Sequence, residues 1–77
     1  MSDELLARIT IDPEIMFGKP VIKGTRLTVE LILEKLGNGQ SEADIILSYP
    51  FITKEDIRAC IIYAARSLSL EEIKLVA

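Results

Sequence analysis

Apolar residues along this chain fall into two regimes. Through residue 27 they come in short alternations and pairs: Ile9-Thr10-Ile11 reads apolar, polar, apolar, and Val21-Ile22 and Leu27 supply further extended pieces. The N-terminal third therefore reads as a small β-hairpin or three-piece ribbon. Asp12-Pro13 marks a turn between the pieces, with Ile15, Met16 and Phe17 expected to fold beneath it as core. From residue 28 the spacing turns helical. Val29, Ile32, Leu33 and Leu36 make one stripe behind Thr28 as N-cap, and Gly37-Asn38-Gly39 ends that helix near Leu36. Glu30, Glu34 and Lys35 occupy its outward face. Ser41-Glu42-Ala43-Asp44 opens a short second helix, closed at Tyr49-Pro50 because the residue before proline is biased out of helical backbone. A third helix begins at the N-cap Thr53. Glu55 and Asp56 suit its positive end, Ile52 is set to staple against Ile57, and its expected end is Ser67.

Three helices with a short proline-containing link between the last two are the plan of helix-turn-helix domains. The fold expectation is mainly α, a small tri-helical helix-turn-helix (winged-helix or homeodomain-like) domain preceded by a short N-terminal β-ribbon. Residues 1–77 form a single domain on this reading: 1–27 arm and ribbon, 28–67 tri-helical core, 68–77 tail. The link Tyr49-Pro50-Phe51-Ile52 lacks the glycine often found there. Residues 59–65 are apolar at every position, and a helix apolar all round must be covered all round. The first two helices are expected to cover Ile57, Ile61, Ala64 and Leu68. Ala59, Ile62 and Tyr63 then need the N-terminal ribbon, the C-terminal tail or another subunit to cover them, and another subunit is the favoured reading, a homodimer being the commonest case. The tail reads equally as a fourth helix, with Ser69 and Glu72 as a capping box, or as a strand through Ile73-Lys74-Leu75-Val76. In either form Ile73 and Leu75 are apolar enough to join the interface.

The densest signal is the run from Gly18 to Leu27, where two glycines bracket a short strand carrying Lys19, Lys23 and Arg26. Gly18 and Gly24 are expected to turn in backbone conformations that only glycine adopts freely, and Pro20 suits an edge strand. The three cations read either as a wing touching phosphates or as solvated charges guarding an exposed edge. Arg26 is expected to find Glu30, one turn into the first helix, if its role is structural. Ile9-Thr10-Ile11-Asp12-Pro13, Gly18-Lys19-Pro20-Val21-Ile22-Lys23-Gly24-Thr25-Arg26, Tyr49-Pro50 and Thr53-Lys54-Glu55-Asp56-Ile57-Arg58, in that order, resemble the domain of unknown function family 433. That resemblance implies a helix-turn-helix type domain, often encoded beside a nuclease-like protein of the PIN type and regarded as a candidate antitoxin.

Composition narrows the chemistry. Seventy-seven residues make one domain with a small core that a partner often completes. Although 49% of residues are apolar, no run approaches the roughly 20 needed to cross a bilayer, so no membrane role is expected. The start Met1-Ser2-Asp3-Glu4 lacks a secretory pattern, and the lone Cys60 fits a reducing compartment, so the expected location is cytoplasmic. Cys60 reads as a small buried hydrophobe. With no histidine, and with Glu30 and Glu34 reading as a solvated face, no catalytic residue, metal or cofactor is expected, and the chain is not expected to be an enzyme. Nine basic against twelve acidic residues give a net charge of −3, which disfavours nonspecific coating of nucleic acid and suits a basic protein partner. Two functions remain from this reading. One is an antitoxin-like protein that binds a PIN-type partner, with or without binding its own promoter. The other is a DNA-binding regulator using Lys54, Arg58 and Arg66 on the third helix with Lys19, Lys23 and Arg26 on the ribbon. A dimerisation module without a toxin is the bland alternative to both.

Overall fold

The computed structural model describes the backbone of residues 2–76 and the side chains of residues 4–69. The chain opens with a short helix that the hydrophobic pattern does not announce, α1 (Ser2–Leu6). Then β1 (Ile9–Thr10) pairs antiparallel with β2 (Val21–Ile22), Ile9 opposite Ile22 and Thr10 opposite Val21. Leu27 does not make a third strand. The Ile22 N–H donates to its carbonyl at 2.9 Å, and Thr28 forms an isolated bridge with Val21. The tight turn between them hinges on Gly24 at φ 81°, and Thr25 holds it: its Oγ1 donates to the Ile22 carbonyl and accepts from the Leu27 N–H. Left-handed backbone there costs glycine no Cβ clash.

Three capped helices follow: α2 (Val29–Gly37), α3 (Glu42–Ser48) and α4 (Lys54–Val76). Each start uses the side chain that the sequence offers. Thr28 accepts from the Leu31 N–H at 3.0 Å, and Ser41 and Asp44 form a reciprocal capping box. Thr53 and Asp56 form a second box at the head of α4. The hydrogen bonds from Ser41 hold the Asp44 carboxyl below its ordinary range. Asn38 terminates α2 and Gly39, at φ 94°, carries the chain out of it.

The core is an isoleucine-rich cluster of Ile22, Val29, Ile32, Ile45, Ile52, Ile57 and Cys60, drawn from the ribbon and all three later helices. Ile52 and Ile57 both lie in it, so the staple at the head of α4 is continuous with the core. The result is a mainly α domain with a two-stranded ribbon at its N-terminal side, as the pattern predicts. Three expectations need correction. Phe17 is not core: it is 94% exposed. The third sequence helix does not stop at Ser67 but continues as α4 to Val76, without a break at Ser69. The faces of α4 are also arranged differently. Ala59 is fully buried, whereas Ile61 and Leu68, assigned to the inner side, are exposed. The reason is α1 and β1, which pack on α4 together with α2 and α3, so part of the face reserved for another subunit is covered by the chain's own N-terminus.

Candidate binding surfaces

The residues singled out for nucleic acid divide into two groups by what surrounds them. Lys19 donates to Glu30 Oε1 at 3.0 Å, so Lys19, and not Arg26, takes the carboxylate at the start of α2. Arg58 Nε lies 3.7 Å from Glu42, bridging α4 to α3. Both contacts are at the surface, where such pairs contribute little stability. Lys23, Arg26 and Lys54 are exposed, and their side chains make no hydrogen bond or ion pair among the described residues. Lys23 and Arg26 flank the Gly24 turn, and Lys54 is the first residue of α4.

The turn and the α3–α4 link meet at one surface depression of about 600 Å³, lined by Ile15, Gly24, Thr25, Arg26, Leu27 and Phe51. Phe51 is 64% exposed and stands edge-on to Tyr49, whose ring in turn carries the Lys35 ammonium 5.6 Å above it. These contacts tie the end of α2 to the link and fix Phe51 at the mouth of the depression. Leu47, at the end of α3, is 84% exposed. An arginine and an exposed aromatic ring around one concavity are the residue types enriched at protein interfaces.

A second feature lies between α2 and α4. It is a groove of about 550 Å³ whose apolar floor includes Pro20, Val29, Leu33, Tyr63, Ala64 and Leu68, and whose rim carries Lys19, Glu30 and Glu34. Tyr63, assigned to an interface from the sequence, is half-buried here and also packs on the core. Ile62 is half-buried beside Ala65, Arg66 and Ser69 in a separate shallow depression. Ala59 is enclosed within the chain and has no surface to offer another subunit. The side chains of Ile73 and Leu75 lie outside the described residues.

Just before Lys19 in the chain, the backbone is strained in a way that the hydrophobic pattern does not announce. Met16 (φ 49°), Phe17 (φ 60°) and Gly18 (φ 79°) follow one another in left-handed backbone, closed by hydrogen bonds from the Gly18 N–H to Ile15 and from the Lys19 N–H to Met16. Gly18 accepts this freely; Met16 and Phe17 together cost roughly 2–4 kcal/mol. Gly18 at this position was a visible signal that the chain turns here, but nothing in the pattern says that two bulky residues share its conformation.

Chemistry of the nucleophilic kind finds no support at Cys60. Burial, and secondly the charge of Asp56, push its thiol up to about 12, so it stays protonated inside the core. Asp56 itself is nearly buried and accepts from both the Thr53 N–H and Arg8 Nη1, the latter at 3.1 Å. Forty-eight positions separate that arginine from its partner, so no local pattern announces the contact.

A solved structure shares this layout. The crystal structure of a DUF433 member protein from Anabaena variabilis superposes with a TM-score of 0.77 at 23% identity, covering 97% of this chain and 74% of that one. The uncharacterised protein y4eO of Sinorhizobium fredii is 34% identical over 56 residues, 73% of this chain. The match spans only 25% of that relative's length. Residues 9–64, which hold the ribbon, the strained turn, α2, α3 and the first half of α4, match the family described as "Protein of unknown function (DUF433)". On that match the chain belongs to the DUF433 family.

Proposed function

We propose that this chain is a non-catalytic, antitoxin-like binding protein that engages a basic, nuclease-like protein of the PIN type. The observation that carries this reading is the depression at the Gly24 turn, where Arg26 and the exposed ring of Phe51 flank an apolar floor, with Leu47 close by along the chain. Exposed aromatics and arginine around a concavity supply binding energy when a partner removes them from water. The net charge of −3 supports a basic partner through electrostatic complementarity. The partner's class comes from the resemblance to family 433. Absence of histidine and a protonated, buried Cys60 support binding over catalysis.

Co-expression with the product of the adjacent gene, followed by size-exclusion chromatography, tests this. The two should co-elute, and Phe51→Ala should weaken the complex by about 10-fold or more. Separate elution at micromolar concentrations overturns the proposal.

DNA binding is the second reading, favoured by the three exposed cations Lys23, Arg26 and Lys54, which have no carboxylate partner among the described residues. Fluorescence anisotropy against the upstream DNA at several salt concentrations tests it. Three phosphate contacts correspond to a log–log salt slope of about −3, and a flat response removes this reading.

A further inference from the structure

We propose that the α2–α4 groove receives an amphipathic helix of another protein, one that carries lysine or arginine along a single flank of its apolar stripe. The walls set the shape of the occupant. α2 lines the groove with Val29, Glu30, Leu33 and Glu34, and α4 lines it with Tyr63, Ala64, Ser67 and Leu68. Both sets follow the spacing i, i+1, i+4, i+5, which is two adjacent rows of side chains over successive turns of helix. The groove therefore runs lengthwise between two helices, where the ridge of a third packs, entering with apolar residues at i, i+3 or i+4, and i+7. An extended segment finds no such support. β2 is already paired on both sides, with β1 and with Leu27-Thr28, and Pro20, which also lines the groove, has no N–H to give an added strand.

Charge selects the occupant. On α2, Val29 is buried and Leu33 half-buried, while Glu30 and Glu34 form an exposed outer row. Lys19 and Glu30 neutralise each other at 3.0 Å, whereas the Glu34 side chain makes no hydrogen bond or ion pair among the described residues, so this lip is net negative. The opposite lip, Ser67 and Leu68 of α4, carries no charge. A cation on the flank that lies over α2 meets Glu34, and the chain's overall charge of −3 favours its approach. A second copy of this chain, itself at −3, brings surplus negative charge to a negative lip, and nucleic acid brings still more. None of the groove residues lines the Arg26–Phe51 depression, so this site goes beyond the partner surface proposed above and stands or falls without it.

The test selects binders on the full chain from a phage-displayed library of helical peptides about 16 residues long, enough to hold a helix, with leucine fixed at i, i+3, i+4 and i+7 and both flanks randomised. Enriched sequences should carry lysine or arginine on one flank only, and selection on Glu34→Lys should lose that bias. An enriched peptide added to the isotope-labelled chain should give saturable shifts at Leu33, Tyr63 and Ala64 that weaken as salt rises. It should bind Glu34→Lys and Leu68→Gln each roughly 10-fold more weakly. Both positions are already exposed on helices, so both variants stay folded. No enrichment, basic residues enriched equally on both flanks or equally on Glu34→Lys, shifts centred on Phe51 instead of the groove, or self-association of the unmodified protein through Leu33, Tyr63 and Ala64 would each overturn the proposal.

Discussion

Replacing Asp56 by alanine should be among the most damaging changes to this fold that removes no apolar contact from the core. Asp56 Oδ2 accepts from the Thr53 N–H at 2.9 Å, Oδ1 accepts from Arg8 Nη1 at 3.1 Å, and the side chain is only 12% exposed. Alanine keeps the other half of the capping box, since the residue-56 N–H still donates to Thr53 Oγ1, but leaves the Thr53 N–H without its acceptor. Loss of a capping interaction costs about 1 kcal/mol, and loss of a hydrogen bond to a charged group about 1.5 kcal/mol more. The negative charge at the positive end of α4 adds roughly 0.5 kcal/mol. Arg8 is 42% exposed and regains water when freed, so its share is discounted. The sum is about 2–3 kcal/mol. For a domain of this size each kcal/mol lowers the melting temperature by about 4–8 °C, so Asp56→Ala should melt roughly 10–20 °C early. Asp56→Asn, which keeps an acceptor but not the charge, should lose about half as much. Circular dichroism melts on both variants, with Arg8→Ala and the double variant completing a cycle, measure these terms. A loss below about 0.5 kcal/mol for Asp56→Ala would refute the argument, because ordinary surface changes fall within that range.

Gly24 stands at φ 81° with no atom within 4 Å of where a Cβ would lie, so Gly24→Val should cost about 1–3 kcal/mol from backbone strain alone. Gly24→Asn should cost clearly less, and equal melts for valine and glycine would show that the turn does not need left-handed backbone. Arg26→Ala should leave the melting temperature unchanged, because Lys19 holds Glu30 and Arg26 has no partner among the described residues. If DNA is bound, the same change should reduce the salt slope by about 1; a lowered melt with an unchanged slope would contradict both statements. Cys60, buried and with its thiol pushed up to about 12, should resist alkylation in the native protein near pH 8 and react promptly in denaturant. Prompt labelling of the native state would show that the core around it opens.

Local chemistry made much of this molecule legible before any coordinates. Thr28, Ser41 and Thr53 announce three helix starts, because a hydroxyl that caps needs only the next three residues to find its donor. Gly18 and Gly24 mark turns for an equally local reason, the missing Cβ. The apolar spacing of Val29 and Ile32 put the inner face of α2 where the core is. Cys60 also lies in the core, as its apolar neighbours indicate.

What the sequence left open depends on which distant segments meet. The pairing of Arg8 with Asp56 and of Lys19 with Glu30, in place of Arg26 with Glu30, is decided by where α1 and the ribbon lie against the helices. The same packing keeps Ile57 inside as expected but also buries Ala59 and exposes Ile61, so the faces of α4 are only partly those expected, since a helix apolar all round carries no polar stripe to declare its orientation. The left-handed turn at Met16 and Phe17 contradicts the local preference of both residues, so no short-range pattern announces it. Periodicity and capping act over a few residues and can be read from order alone. The two surface concavities, the strained aromatic between them in sequence and the choice of ion pairs arise from contacts across tens of residues, and those are fixed only when the chain closes on itself.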